Sequence, residues 1–158
     1  MKSVVLMCAL VVAASSFAHA SHYRLPLPQL IEADETEILK RVGIKTTLAL
    51  LDRVAKRAGR LRLAKVTKLP LERLDLLATQ VDLLRIEGIG PSMVLVLQAA
   101  GFRHTADLAA TNASALLDKM SEANERHRIA PVLPREPSLH DWILQARALP
   151  QLLEAPVK

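Results

Sequence analysis

Residues Gly88-Ile89-Gly90-Pro91-Ser92 form the segment whose residue types and spacing best suit a chemical task, the holding of a phosphate group. Glycine admits positive φ and lets a ligand approach the backbone closely, and Pro91 suits the first position of a helix. Ile89 between the glycines can anchor the turn in a core. The bare amides of such a helix start, together with its dipole, favour an anion. A second set of side chains, Arg57, Arg60, Arg62 and Lys65, lies in the basic stretch 53–68 and could neutralise phosphates. Gly88, Ile89, Gly90 and Ser92 with Arg57, Arg60, Arg62 and Lys65 are therefore the candidate nucleic-acid-binding residues. Two alternatives stay open. The turn can be purely structural, and the basic stretch can be a solvated face above inward-pointing Leu61, Leu63 and Val66.

No other constellation points to an enzyme, a metal or a cofactor. His22, His104, His127 and His140 are scattered without the close spacing of a helical metal site. Ser114, Ser121 and Ser138 stand in no nucleophile-elbow context, and no Walker, Rossmann or zinc motif occurs. The acids Glu32, Asp34, Glu35 and Glu37 sit where they can cap a helix and favour its positive end. The expectation is a protein with no catalytic residues, no metal and no cofactor.

The elements that must position these residues read as helices. The chain has 158 residues, of which 51% are hydrophobic and only 3% aromatic. Five glycines among abundant Leu and Ala suit helix rather than sheet. Residues 1–20 look like a cleaved signal peptide: Lys2, the apolar run Val4 to Ala14, and Ala18-His19-Ala20 as the cleavage site. Cleavage would remove Cys8, the only cysteine, and leave a single helical domain over 21–158 that is exported, periplasmic or secreted, with no stable membrane insertion. Asp34 and Glu37 form a capping box for a helix to about Val42, and Thr46 or Thr47 caps the next. A break is expected near Gly59, then a helix over 61–66, one from Pro70 to about Ala78 and a short one over 81–86. Helices are expected over 91–100, 105–110 and, capped by Asn112, 113–123. An extended excursion over 124–137 then leads to a C-terminal helix over about 138–149, opened by Ser138 and Asp141.

Leu39 to Thr47 and Leu97 to Thr105 align at an offset of 58, each reading as helix, glycine cap, apolar residue and Thr-capped helix. The pseudo-repeat units would be about 25–80 and 81–125. The first is degenerate, because Leu30 and Glu32 stand where the second has Gly88 and Gly90. Charge is uneven too. Residues 40–75 hold eleven Lys/Arg against three acids, whereas 76–158 hold eight against nine. The glycine turn thus lies in the neutral half, beside Glu87. It would bind nucleic acid well only if folding brings the basic half onto the same face, because phosphate neutralisation dominates non-specific affinity.

The Gly88-Ile89-Gly90-Pro91 turn resembles the hairpin of helix-hairpin-helix domains, which implies a grip on the DNA backbone without sequence reading. The wider set Leu83 to Gly90, Ala99-Ala100-Gly101-Phe102, Asp107-Leu108-Ala109, Asn112 and Trp142 to Ala146 resembles the family known as domain of unknown function 4332. That resemblance covers about Leu25 to Pro150. It implies an all-α, tandem helix-hairpin-helix (SAM-like) domain with a C-terminal helix and a degenerate first repeat, and no settled activity. The expected partner is DNA or another polyanion, and export fits because helix-hairpin-helix domains are similar to extracytoplasmic receptors of DNA uptake. The alternative is a periplasmic or secreted protein-interaction module whose hairpin only packs helices. Trp142 is expected in the core against the hairpin.

Overall fold

The structure, a computed structural model, describes residues 22–154; the signal peptide expected at 1–20, with Cys8, lies outside them. Among the described residues the chain is all-helical: α1 (Ala33–Arg41), α2 (Thr47–Val54), α3 (Arg57–Thr67), α4 (Leu71–Leu83), α5 (Pro91–Ala99), α6 (Thr105–Ala109), α7 (Ala113–His127) and α8 (Glu136–Ala148). An isolated antiparallel bridge joins Arg24 to Thr46. No helix among these residues is long and apolar enough to cross a membrane. In the first half α2, α3 and α4 pack on one another; in the second, α5 packs on α7 and α8 on both α6 and α7.

Helix α4 is the joint between the halves. The Gln98 side chain of α5 hydrogen-bonds to Thr79 and Gln80 of α4, and the Asp82 carboxylate accepts from the Thr105 amide and hydroxyl at 2.9 Å each. One continuous hydrophobic core runs from Leu25 to Ala146, including Leu39, Leu50, Leu74, Leu97, Leu108 and Leu139, all fully buried.

Residues 33–47 and 91–105, 58 apart, share several backbone features. Helices α1 and α5 are each nine residues long and start at residues 33 and 91, and Gly43 and Gly101 follow them at φ 83° and 91°. The Ile44 amide donates to Leu39 O at 3.0 Å, as the Phe102 amide does to Leu97 O at 2.8 Å. Thr47 and Thr105 open α2 and α6, both buried.

Several expected boundaries move, each for a local reason. The first helix is capped by Glu32, whose amide donates to the Glu35 carboxylate, rather than by Asp34 with Glu37. Gly59 does not break a helix. It lies inside α3, where a Cβ would stand 2.1 Å from the Arg53 carbonyl oxygen, so it permits close approach of α2 and α3. Thr79 and Gln80 do not end α4, because Thr79 donates back to Leu76 O and Gln80 is buried against Gln98. Helix α7 continues to His127, and Asn124 then holds the left-handed Arg128 turn by bonding the Ile129 and Ala130 amides and the Ala130 carbonyl. Helix α8 starts at Glu136 with Pro137 in its first turn, where the missing N–H is no loss, so Ser138 is not its cap.

Glu35 and Arg73 tie α1 to α4. The guanidinium contacts both carboxylate oxygens at 2.6 Å and also donates to Leu30 O. The hydrogen bond from Arg73 holds the Glu35 carboxyl below its ordinary 4.5. Because the folded value is the lower one, the stabilisation is complete above about 4.5 and disappears as pH falls through the lowered value. Glu35→Gln should therefore lower stability at neutral pH by about 1–3 kcal/mol. It should also flatten the acid limb of a urea-melt series from pH 6 to 3; an unchanged limb would show that another carboxylate carries it.

Candidate nucleic-acid interface

The turn between α4 and α5 is closed by bonds spanning three residues, from the Arg85, Ile86 and Ile89 amides to the Asp82, Leu83 and Ile86 carbonyls. Gly88 has φ 89°, and a Cβ there would stand 2.9 Å from Trp142 Nε1. The indole, 4% exposed, thus occupies the space a side chain would need. Ile89 points into the core and is fully buried. Gly90 is different. It caps α5 in extended conformation (φ −97°), and a Cβ on it would meet nothing within 4 Å. The fold itself therefore does not require glycine at 90.

Distant side chains brace this turn. Gln145 of α8 accepts from the Glu87 amide at 2.8 Å and donates to the Glu87 carbonyl at 3.3 Å. The Tyr23 hydroxyl donates to Ile89 O at 3.1 Å, and the Ser92 hydroxyl donates to the Gln29 side chain. Tyr23, Gln29 and Gln145 escape sequence reasoning, since each partner is 58 to 66 residues away; the only sequence signal is that Tyr23 is the chain's sole tyrosine. The cation nearest in sequence, Arg85, is 4% exposed and engaged with Asp82 at 2.7 Å and Pro150 O at 2.9 Å. Glu87 is exposed, so the turn offers backbone polarity and no positive side chain of its own.

The basic side chains gather on α3 instead. Between Arg53 and Leu71 the sequence holds no acid. Arg53, Lys56, Arg62, Lys65 and Lys68 are exposed and Arg57 is half-buried, and none of the six has an ion-pair partner among the described residues. Arg60 requires a correction. Its guanidinium is 2% exposed and donates to Val54 O at 2.7 Å and Ala55 O at 3.2 Å, carbonyls at the end of α2. It also reaches Glu154 O and lies 2.5 Å from Asp75. Arg60 is thus a buried helix cap and not a ligand-facing residue. Leu61 and Val66 are corrected with it: they are 44% and 63% exposed, because the buried stripe of α3 is Arg60, Leu63 and Thr67.

Arg57, Arg62 and Lys65 therefore share α3 with unpaired neighbours, and Gly88, Ile89, Gly90 and Ser92 share the turn. No hydrogen bond or ion pair among the described residues links the two sets. Helix α4 is what they have in common: α3 packs beside it and the turn leaves its C-terminal end.

The model of a family described as Domain of unknown function (DUF4332) matches residues 29–149. No curated protein and no solved structure matches the chain.

Proposed function

From the premise that the chain belongs to the domain of unknown function 4332 family, whose description supplies no activity, we propose that it is a non-enzymatic, exported binder of nucleic acid that grips phosphates without reading sequence. In this proposal the segments of about 25–80 and 81–125 are two helix-hairpin-helix-like units, and the first lacks the two hairpin glycines, with Leu30 and Glu32 in their places. The carrying observation is the acid-free stretch from Arg53 to Leu71, which leaves six unpaired cations along the end of α2 and the outer side of α3. Counterion release on meeting a phosphate backbone supplies affinity at such a surface irrespective of sequence. The open start of α5 at Gly90 and Ser92 adds amides for one further phosphate, and the absence of a packing need for glycine at 90 supports that role.

Two duplexes of unrelated sequence should bind with affinities within about threefold of each other, because phosphate contacts carry no sequence information. Gly90→Glu should weaken binding about tenfold with the helical circular dichroism spectrum intact, since its side chain enters open space and its charge opposes phosphate. Gly88→Ala should instead lower stability by about 2–3 kcal/mol, through positive-φ strain and the contact with Trp142. Full-affinity binding by Gly90→Glu would restrict the site to α3.

Trp142, Gln145 and Tyr23 give the turn a complete packing role. A protein-interaction module would need no more of it than that. Absence of binding to any duplex at low salt would favour this alternative.

A further inference from the structure

The C-terminal segment 150–154 has no regular secondary structure, yet its last described residue makes three long-range contacts to the basic surface. The Glu154 amide donates to Ala55 O at 2.9 Å, and its carbonyl accepts from Arg60 Nη2 at 3.2 Å. Its carboxylate accepts from the Arg57 amide at 2.8 Å, which places a negative group at the first residue of α3. Arg53, Lys56 and Arg57 surround this position in sequence, and no acid of α3 itself accompanies them. Glu154 is exposed, so it brings to the patch a charge that is not neutralised by burial.

We infer that residues 151–154 form an autoinhibitory strap, in which the Glu154 carboxylate occupies the part of the α2–α3 surface that a nucleic-acid phosphate takes when the protein binds. This rests on the proposed polyanion-binding function and assigns a regulation to the same surface. A carboxylate oxygen and a phosphate oxygen make the same charge-assisted bond to a helix amide, so the two compete for one position. The strap is built to leave. Leu152 is 43% exposed, Leu153 is half-buried against the edge of the core, and Leu153 and Glu154 border an open cleft of about 400 Å³. Pro150 stays anchored by Arg85, which sets the hinge just before the strap. Arg60 keeps Val54 O, Ala55 O and Asp75 when Glu154 departs, so release strands no buried charge.

The test compares Glu154→Gln with Glu125→Gln, an equal loss of charge at an exposed position of α7, in the full chain. The readout is anisotropy with a random-sequence duplex at fixed salt. Glu154→Gln should raise affinity threefold or more above the Glu125→Gln control. Adding duplex to the wild-type protein should speed amide exchange at residues 152–154. Equal affinities for both Gln variants, or exchange at 152–154 unchanged by saturating duplex, would overturn the strap while leaving the proposed function standing. No binding by any variant at low salt would overturn both.

Discussion

Arg62→Glu combined with Lys65→Glu is expected to reduce duplex affinity on the order of 100-fold at about 0.1 M salt, with the thermal unfolding curve almost unmoved. Each replacement removes one phosphate neutralisation and adds a repulsion. Even at about 1.4 kcal/mol per site this amounts to a factor of ten each. The fold should not notice. Arg62 and Lys65 are exposed on the outer side of α3, their side chains make no hydrogen bond or ion pair among the described residues, and Glu is as good a helix former as Arg or Lys. With two fewer phosphates neutralised, the dependence of log affinity on log salt should also become shallower by about two. The control is the same charge change on α7, Lys119→Glu with Arg126→Glu, which lies outside the acid-free stretch. An equal loss of affinity in the control would show that only net charge matters and that α3 is not the contact surface.

Gly59→Ala is expected to lower stability by about 2–3 kcal/mol and Tm by roughly 5–10 °C. In a solvated helix the same change would stabilise by about 1 kcal/mol, since Ala is the better helix former. Here the new Cβ would stand 2.1 Å from Arg53 O and 3.2 Å from Arg53 C, both backbone atoms at the end of α2. Neither can swing aside as a side-chain tip would. Relief requires α2 and α3 to separate, and that would pull Arg60 from Val54 O and Ala55 O. Gly90→Ala is the matched comparison, a glycine with nothing within 4 Å, and should be close to neutral in the same urea melt. Equal stabilities for the two variants would mean that α2 and α3 do not cross as closely as described.

Gly59 also shows where sequence reasoning reaches its limit. A glycine in a basic stretch reads as a helix break, because propensity is a local property. Its actual function depends on the backbone of α2, six residues earlier, folding over it. The same division holds elsewhere. Thr46 and Asn112 cap α2 and α7 as expected, since an N-cap bonds an amide only three residues ahead. Pro91 opens α5, and Gly43 and Gly101 follow α1 and α5, for similarly local reasons. Arg60 reads like its neighbours Arg57 and Arg62 because its burial is decided by Asp75 and Glu154, which the intervening sequence does not announce. Leu61 and Val66 read as inward on hydrophobicity alone, although a helix that buries Leu63 turns both of them outward.

The glycine turn divides in the same way. Its position, the burial of Ile89 and the packing of Trp142 against Gly88 are legible from residue type. The brace by Tyr23, Gln29 and Gln145 is not, and it changes what the turn can do. With Gly88 fully occupied by packing, the capacity for phosphate rests on Gly90 and, far more, on the cations of α3.

The most direct measurement is the affinity of the wild-type protein for a random-sequence duplex across 50–200 mM salt. Contacts from about four of the six unpaired α2–α3 cations should give a slope of log affinity on log salt near −4, a fall of roughly 200-fold over that range. No binding at 50 mM, or an affinity indifferent to salt, would contradict the phosphate-gripping function.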